Sequence, residues 1–149
     1  MSQKKGYSQM EYLLKDKTEK IIKCFYETYN VLGYGFLEKV YENALQKELT
    51  RNGFYCENQK KISVSYEGEK VGEYYADLLV DNEIILELKA AESLCEEHEY
   101  QLINYLKATN VELGLLLNFG KKPEIRRKIF TNDRKSQREN QFFCAICVP

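Results

Sequence analysis

Apolar residues between Tyr12 and Val31 (Leu13, Leu14, Ile21, Ile22, Phe25, Tyr29) recur at broadly helical spacing until Gly33 and Gly35 stop the pattern, which predicts a first helix. Phe36, Leu37, Val40, Tyr41, Ala44, Leu45 and Leu49 then form a one-sided stripe that ends at Asn52-Gly53 and predicts a second. Ile62 to Tyr66 alternates apolar and polar residues, and after Glu67-Gly68-Glu69 an extended run from Val71 to Val80 completes a hairpin. Beyond Asp81-Asn82-Glu83, the dense aliphatic stretch from Ile84 to Lys89 reads as a central strand covered on both faces. A helical repeat from about Ser93 to Thr109 leads into a nearly continuous apolar strand from Val111 to Phe119, the natural crossover between parallel neighbours. Past Pro123 a short helix or strand is expected over Ile125 to Phe130, then a polar stretch through Asn140 and an apolar end at Phe142 to Val148.

The resulting order, ααβββαβ, is that of an α+β chain with a mixed sheet of about four strands flanked by helices. At 149 residues it fits one domain over 1–149, with 1–10 and 131–149 peripheral. A hydrophobic fraction of 44% and a net charge of -1 are ordinary for a soluble globular protein, and the apolar runs are too short to span a membrane. Lys4 and Lys5 are followed by no apolar stretch of signal-peptide type, so the expected location is the cytoplasm. Five cysteines (Cys24, Cys56, Cys95, Cys144, Cys147) fit reduced thiols better than a disulfide framework. The basic run Lys121, Lys122, Arg126, Arg127, Lys128, Arg134, Lys135 and Arg138 is either a solvated surface or a local phosphate-binding patch.

Three charges stand inside otherwise apolar strands: Asp77, Glu87 and Lys89. Desolvating a charge is costly, so strand interiors seldom hold one without compensation. Glu87 and Lys89 lie two positions apart and project from one face of one strand. Asp77 joins them only in one register. A three-residue loop over 81–83 sets position 77 opposite 87 and puts all three on one face; a two-residue loop sets 77 opposite 86 and separates them. An odd-length loop or a bulge is therefore predicted. Two carboxylates on one face offer the hard oxygen ligands that suit Mg²⁺ or Mn²⁺, and a neighbouring lysine can stabilise the charge of phosphoryl transfer or orient a water. The competing reading is an exposed Glu-Lys ion pair with Asp77 at a strand edge, because the spacing pattern is loose.

This arrangement resembles the PD-(D/E)XK nuclease signature, with Ala76-Asp77 where that family carries Pro-Asp; proline supplies no ligand, so the departure is mild. Gly35-Phe-Leu-Glu38-Lys-Val-Tyr41 is similar to the motif of the bacterial and archaeal GxxExxY family, placed in the same superfamily. Gln101 and Tyr105, four apart on one helix face, resemble the family's Q-x-x-x-Y helix, and Leu113 to Gly120 looks like its characteristic strand. The likeness covers about residues 10 to 130. It implies a restriction-endonuclease-like core in which Asp77, Glu87, the Leu88 carbonyl and Glu38 hold Mg²⁺ or Mn²⁺, while Lys89, Gln101 and Tyr105 complete the catalytic set. Plainer readings exist for several of these: helix-start chemistry for Glu38, a core aromatic for Tyr41, a surface amide for Gln101 and a packed ring for Tyr105. His98 also matches a recurrent family position but suits a capping or supporting role. Tyr29 stands where many members carry His, which speaks against an acid-base role there.

What the resemblance implies is metal-dependent hydrolysis of phosphodiester bonds in nucleic acid, DNA or RNA. The alternative is a catalytically inactive nuclease-fold module that binds nucleic acid or a partner protein, since a fold does not guarantee an activity. A homo-oligomer, or a subunit active only within a complex, is also compatible with the sequence.

Overall fold

The first helix runs further than the apolar spacing predicts: in the computed structural model, which describes residues 2–135 with side chains from Leu14 onward, α1 spans Ser2–Leu32. Gly33 follows at φ 67°, with its N–H donating to the Tyr29 carbonyl at 2.7 Å, a left-handed cap that costs glycine no Cβ clash. Helix α2 (Glu38–Arg51) begins at Leu37 without a side-chain cap. Its loop is tied down from inside instead. The buried Tyr41 donates its hydroxyl to the Gly33 carbonyl at 2.7 Å and accepts the Phe36 N–H at 3.2 Å.

Strands β1 (Cys56–Tyr66) and β2 (Glu69–Val80) meet at Glu67-Gly68, both at positive φ (50° and 81°), a turn whose twist matches that of the hairpin. Strand β3 (Ile84–Lys89) returns after Asp81 and Asn82, which are also left-handed. Helix α3 (Glu96–Lys107) then crosses to β4 (Leu113–Phe119), parallel to β3 as the crossover predicts. The segment left open as helix or strand is a strand, β5 (Pro123–Ile129), antiparallel to β4, and the short helix α4 (Asn132–Lys135) follows. The sheet therefore has five strands rather than about four, in the order β1-β2-β3-β4-β5. Backbone pairing with β4, more than the strand's own side chains, makes that edge strand.

Helices α1 and α2 cover one face of the sheet. There Phe119 stacks on Tyr41 at 4.3 Å between ring centroids and meets Phe25 edge-on at 4.8 Å. Helix α3 covers the other face and lies close: a Cβ on Gly114 of β4 would come within 2.6 Å of Leu102 Cδ1. Strand β4 is buried throughout, as its continuous apolar run requires.

The alternation of strand faces breaks at Asp77. Leu78 and Val80 pack with α1 and α2, yet Ala76, two positions before Leu78, packs with α3. An ideal strand would place 76 and 78 on the same face. Next to this break Gln59 of β1 takes φ 50° and falls unpaired between Asn58 and Lys60, which pair with Leu78 and Ala76.

Candidate active site

The pairing Leu78↔Leu86 to Val80↔Ile84 across the turn at 81–83 sets position 77 opposite 87, the odd-length connection predicted above. The backbone ladder ends there, and two side chains continue it. Glu87 Oε1 accepts the Asp77 N–H at 3.0 Å, and Asp77 Oδ2 accepts the Leu88 N–H at 2.8 Å. Beyond the last ladder pair, each carboxylate satisfies a backbone donor of the opposite strand that would otherwise be orphaned.

Glu87 is 3% exposed. Burial, and then the Asp77 carboxylate beside it, holds its pKa well above the ordinary 4.5, opposed by the Asp77 N–H and by Lys89. Burial also raises half-buried Asp77; the Leu88 N–H opposes that, and the carboxylate of Glu42 adds to it. Two carboxylates, one buried and one half-buried, are poorly compensated by a single lysine. The donor set fits a hard divalent cation, which would relieve both, and Mg²⁺ commonly takes one or two carboxylates and keeps several waters. Among the described residues no three His, Cys, Asp or Glu side chains cluster to hold an ion by themselves, so backbone oxygen and water would complete the shell.

Helix α3 supplies the rest of this face. Lys89 Nζ donates to Gln101 Oε1 at 3.3 Å, and Gln101 Nε2 donates to the Tyr105 hydroxyl at 2.8 Å. Burial first, and the charge of Glu87 next, push the Tyr105 phenol up to about 12, so it keeps its proton as a free donor. Asp77, Glu87, Lys89, Gln101 and Tyr105 thus come together. Glu38 stands apart, exposed on the first turn of α2 with no hydrogen bond or ion pair among the described residues, though its charge still reaches Asp77.

A family model described as the PD-(D/E)XK nuclease superfamily matches residues 15–128. The chain belongs to that superfamily. The solved crystal structure of SSO0001 is similar in fold, with a TM-score of 0.51 and 18% identity, covering 70% of this chain. This chain spans 60% of the length of that one. No curated protein matches.

The sequence reading of this nuclease-superfamily site missed Glu42. That residue is 3% exposed and accepts from Gln59 Nε2 and Lys39 Nζ, both at 2.6 Å, while Gln59 Nε2 also reaches Asp77 Oδ1 at 3.3 Å. A signal was there: Glu42 lies one turn after Glu38, between the stripe positions Tyr41 and Leu45. Gln59 offered none, since only the fold brings it to Asp77.

Other candidates fall outside the site. Tyr29 donates its hydroxyl toward the Gly120 and Lys121 carbonyls at 2.7 and 2.8 Å, bracing the turn between β4 and β5. His98 Nδ1 accepts the Cys95 N–H at 3.3 Å in a capping box at the start of α3. Cys24 and Cys56 have thiols pushed up to about 11, chiefly by burial. Cys144, Cys147 and Arg138 lie outside the described residues. Within the basic run, Lys128 pairs with Glu99 at 2.7 Å, Arg126 with Glu124 at 3.6 Å, Arg134 lies over Phe130 and Lys135 donates to the Thr109 and Val111 carbonyls, while Lys121, Lys122, Arg126, Arg127 and Arg134 are exposed. Among the described residues no helix is long and apolar enough to cross a membrane.

Proposed function

We propose that the chain is a metal-dependent nuclease of the GxxExxY type that hydrolyses phosphodiester bonds of nucleic acid. The observation that carries this reading is the junction of β2 and β3, where the buried carboxylate of Glu87 and the half-buried one of Asp77 replace the backbone ladder beside a lysine. Asp77 and Glu87, with the Leu88 carbonyl, would hold Mg²⁺ or Mn²⁺, with Glu38 as a further acidic group whose charge already reaches Asp77. The chemistry such an ion supplies when bound is neutralisation of phosphate charge and acidification of water. Lys89, steadied by Gln101, sets its charge against the phosphoryl oxygens and orients the attacking water. Tyr105 donates its retained proton in a hydrogen bond to the same group. Glu42, acting through Gln59, aims the Asp77 carboxylate and is a positioning residue.

The test is calorimetric titration of the full chain with Mn²⁺, wild type beside Asp77→Ala, followed by incubation of both with labelled single- and double-stranded DNA and RNA. Metal binding and cleavage are expected in the wild type and should vanish together in the variant. A wild type that binds no Mn²⁺ sinks the proposal and leaves a nuclease-fold binding module.

A further inference from the structure

We infer, resting on the nuclease reading above, that the cleft between the β1–β2 hairpin and α3 is a stacking pocket for one unpaired base of the nucleic-acid substrate. The cleft holds about 460 Å³ and is lined by Gly72 and Tyr74 from the hairpin and by Tyr100, Gln101, Asn104 and Tyr105 from α3. Gln101 and Tyr105 also belong to the candidate active site, so a base in the cleft is contiguous with a phosphate at Asp77 and Glu87.

The lining suits a base better than other occupants. Tyr74 and Tyr100 are 50% and 60% exposed, and Tyr74 stands 5.7 Å from the Tyr105 ring, so the cleft presents aromatic surface to solvent. Aromatic faces stack on any base, and the phenolic O–H groups at the ring edges leave room for polar contacts. Asn104 and the lining residue Glu97 are exposed and make no side-chain hydrogen bond or ion pair among the described residues, leaving an amide and a carboxylate for the polar edge of a base. The Glu97 charge also disfavours a phosphate inside the cleft, which leaves the base as the part that enters. A paired base is stacked on both faces and cannot offer one to a tyrosine, so the strand must be single. The volume is that of a small-molecule site, enough for one nucleotide and too small for a duplex.

Gly72 gives a way to close the cleft without removing an aromatic ring. A Cβ there would lie 3.4 Å from Tyr74 Cε2 and 3.9 Å from its hydroxyl, ordinary contact, so Gly72→Leu extends into the space beside Tyr74.

The experiment uses the full chain in chelator with oligonucleotides carrying one 2-aminopurine, single-stranded and duplex, in DNA and RNA arms. Fluorescence of the single strand should fall on binding, and that of the duplex should not. Tyr100→Ala and Gly72→Leu should each weaken single-strand binding about tenfold while Mn²⁺ titration stays as in the wild type. Wild-type affinity in both variants, equal quenching of duplex and single strand, or no binding of either overturns the pocket. Mn²⁺-dependent cleavage by the same proteins separates the two ideas. Cleavage that is intact and indifferent to both substitutions sinks the pocket only. Strand binding that depends on Tyr100, without cleavage by the wild type, sinks the nuclease only. The DNA and RNA arms report which sugar is accepted.

Discussion

On the α1/α2 side of the sheet Tyr41 is fully buried and stacked on Phe119, and its hydroxyl is spent on the Gly33 carbonyl and the Phe36 N–H. On the α3 side Tyr105 is 5% exposed, but its hydroxyl accepts from Gln101 and faces the charges of Glu87 and Asp77. Both are buried tyrosines, packed in the cores on opposite faces of one sheet. The first closes a loop and the second belongs to a polar chain that runs through Gln101 to Lys89. Burial therefore says little about the role of an aromatic residue; what its polar end touches says much more.

The sharpest way to break this comparison is to strip each side of its own resource. Lys89→Ala should lower turnover by about a hundredfold or more, the cost of losing one preorganised donor at developing charge, with Mn²⁺ affinity nearly unchanged in the same titration. If affinity falls as far as turnover, Lys89 shapes the metal site instead of acting on the phosphate. On the opposite face Phe25→Ala should cost about 3–5 kcal/mol in urea unfolding, because it empties a fully buried ring site against Phe119. A loss under about 1 kcal/mol would mean that the α1/α2 layer repacks freely.

Acidity gives a subtler contrast. The folded pKa of Glu87 lies above 4.5, so the folded chain binds that proton more tightly than the unfolded chain does. In chelator, this group's contribution makes stability fall as pH rises from 4.5 toward its folded value. Glu87→Gln should flatten the dependence of Tm on pH above 4.5, with a remnant slope from Asp77, whose pKa is raised in the same direction. Identical slopes in the two proteins would show that the gap is well hydrated. The smallest effects come from the tyrosine pair itself. Tyr41→Phe should cost about 1 kcal/mol of stability and leave cleavage alone, whereas Tyr105→Phe should spare stability and slow cleavage. A reversed pattern would exchange the roles assigned to the two rings.

Much of this was legible in the chain. Glu87 and Lys89 share a face because they are two apart in a strand, and Gln101 and Tyr105 share one because they are four apart in a helix. Even the opposition of 77 and 87 followed from counting Asp81 to Glu83 as the loop. Strand β5 was not legible, since Ile125 and Ile129 are too sparse a pattern to name it. Glu42 went unnoticed because a glutamate on a helix reads as a solvated residue until its neighbours are known.

The sequence by itself determined the order of elements as far as β4, the faces on which the acidic pair, the lysine and the α3 amide and phenol lie, and the turn length that aligns Asp77 with Glu87. These follow from backbone periods that each element carries alone. Only the tertiary structure decided that the ladder opens at Asp77, that Gln59 links Glu42 to it, and that α3 and the hairpin leave a cleft beside Tyr105. Those features depend on distances between elements, which are set by how side chains far apart in sequence pack, and no local period encodes them.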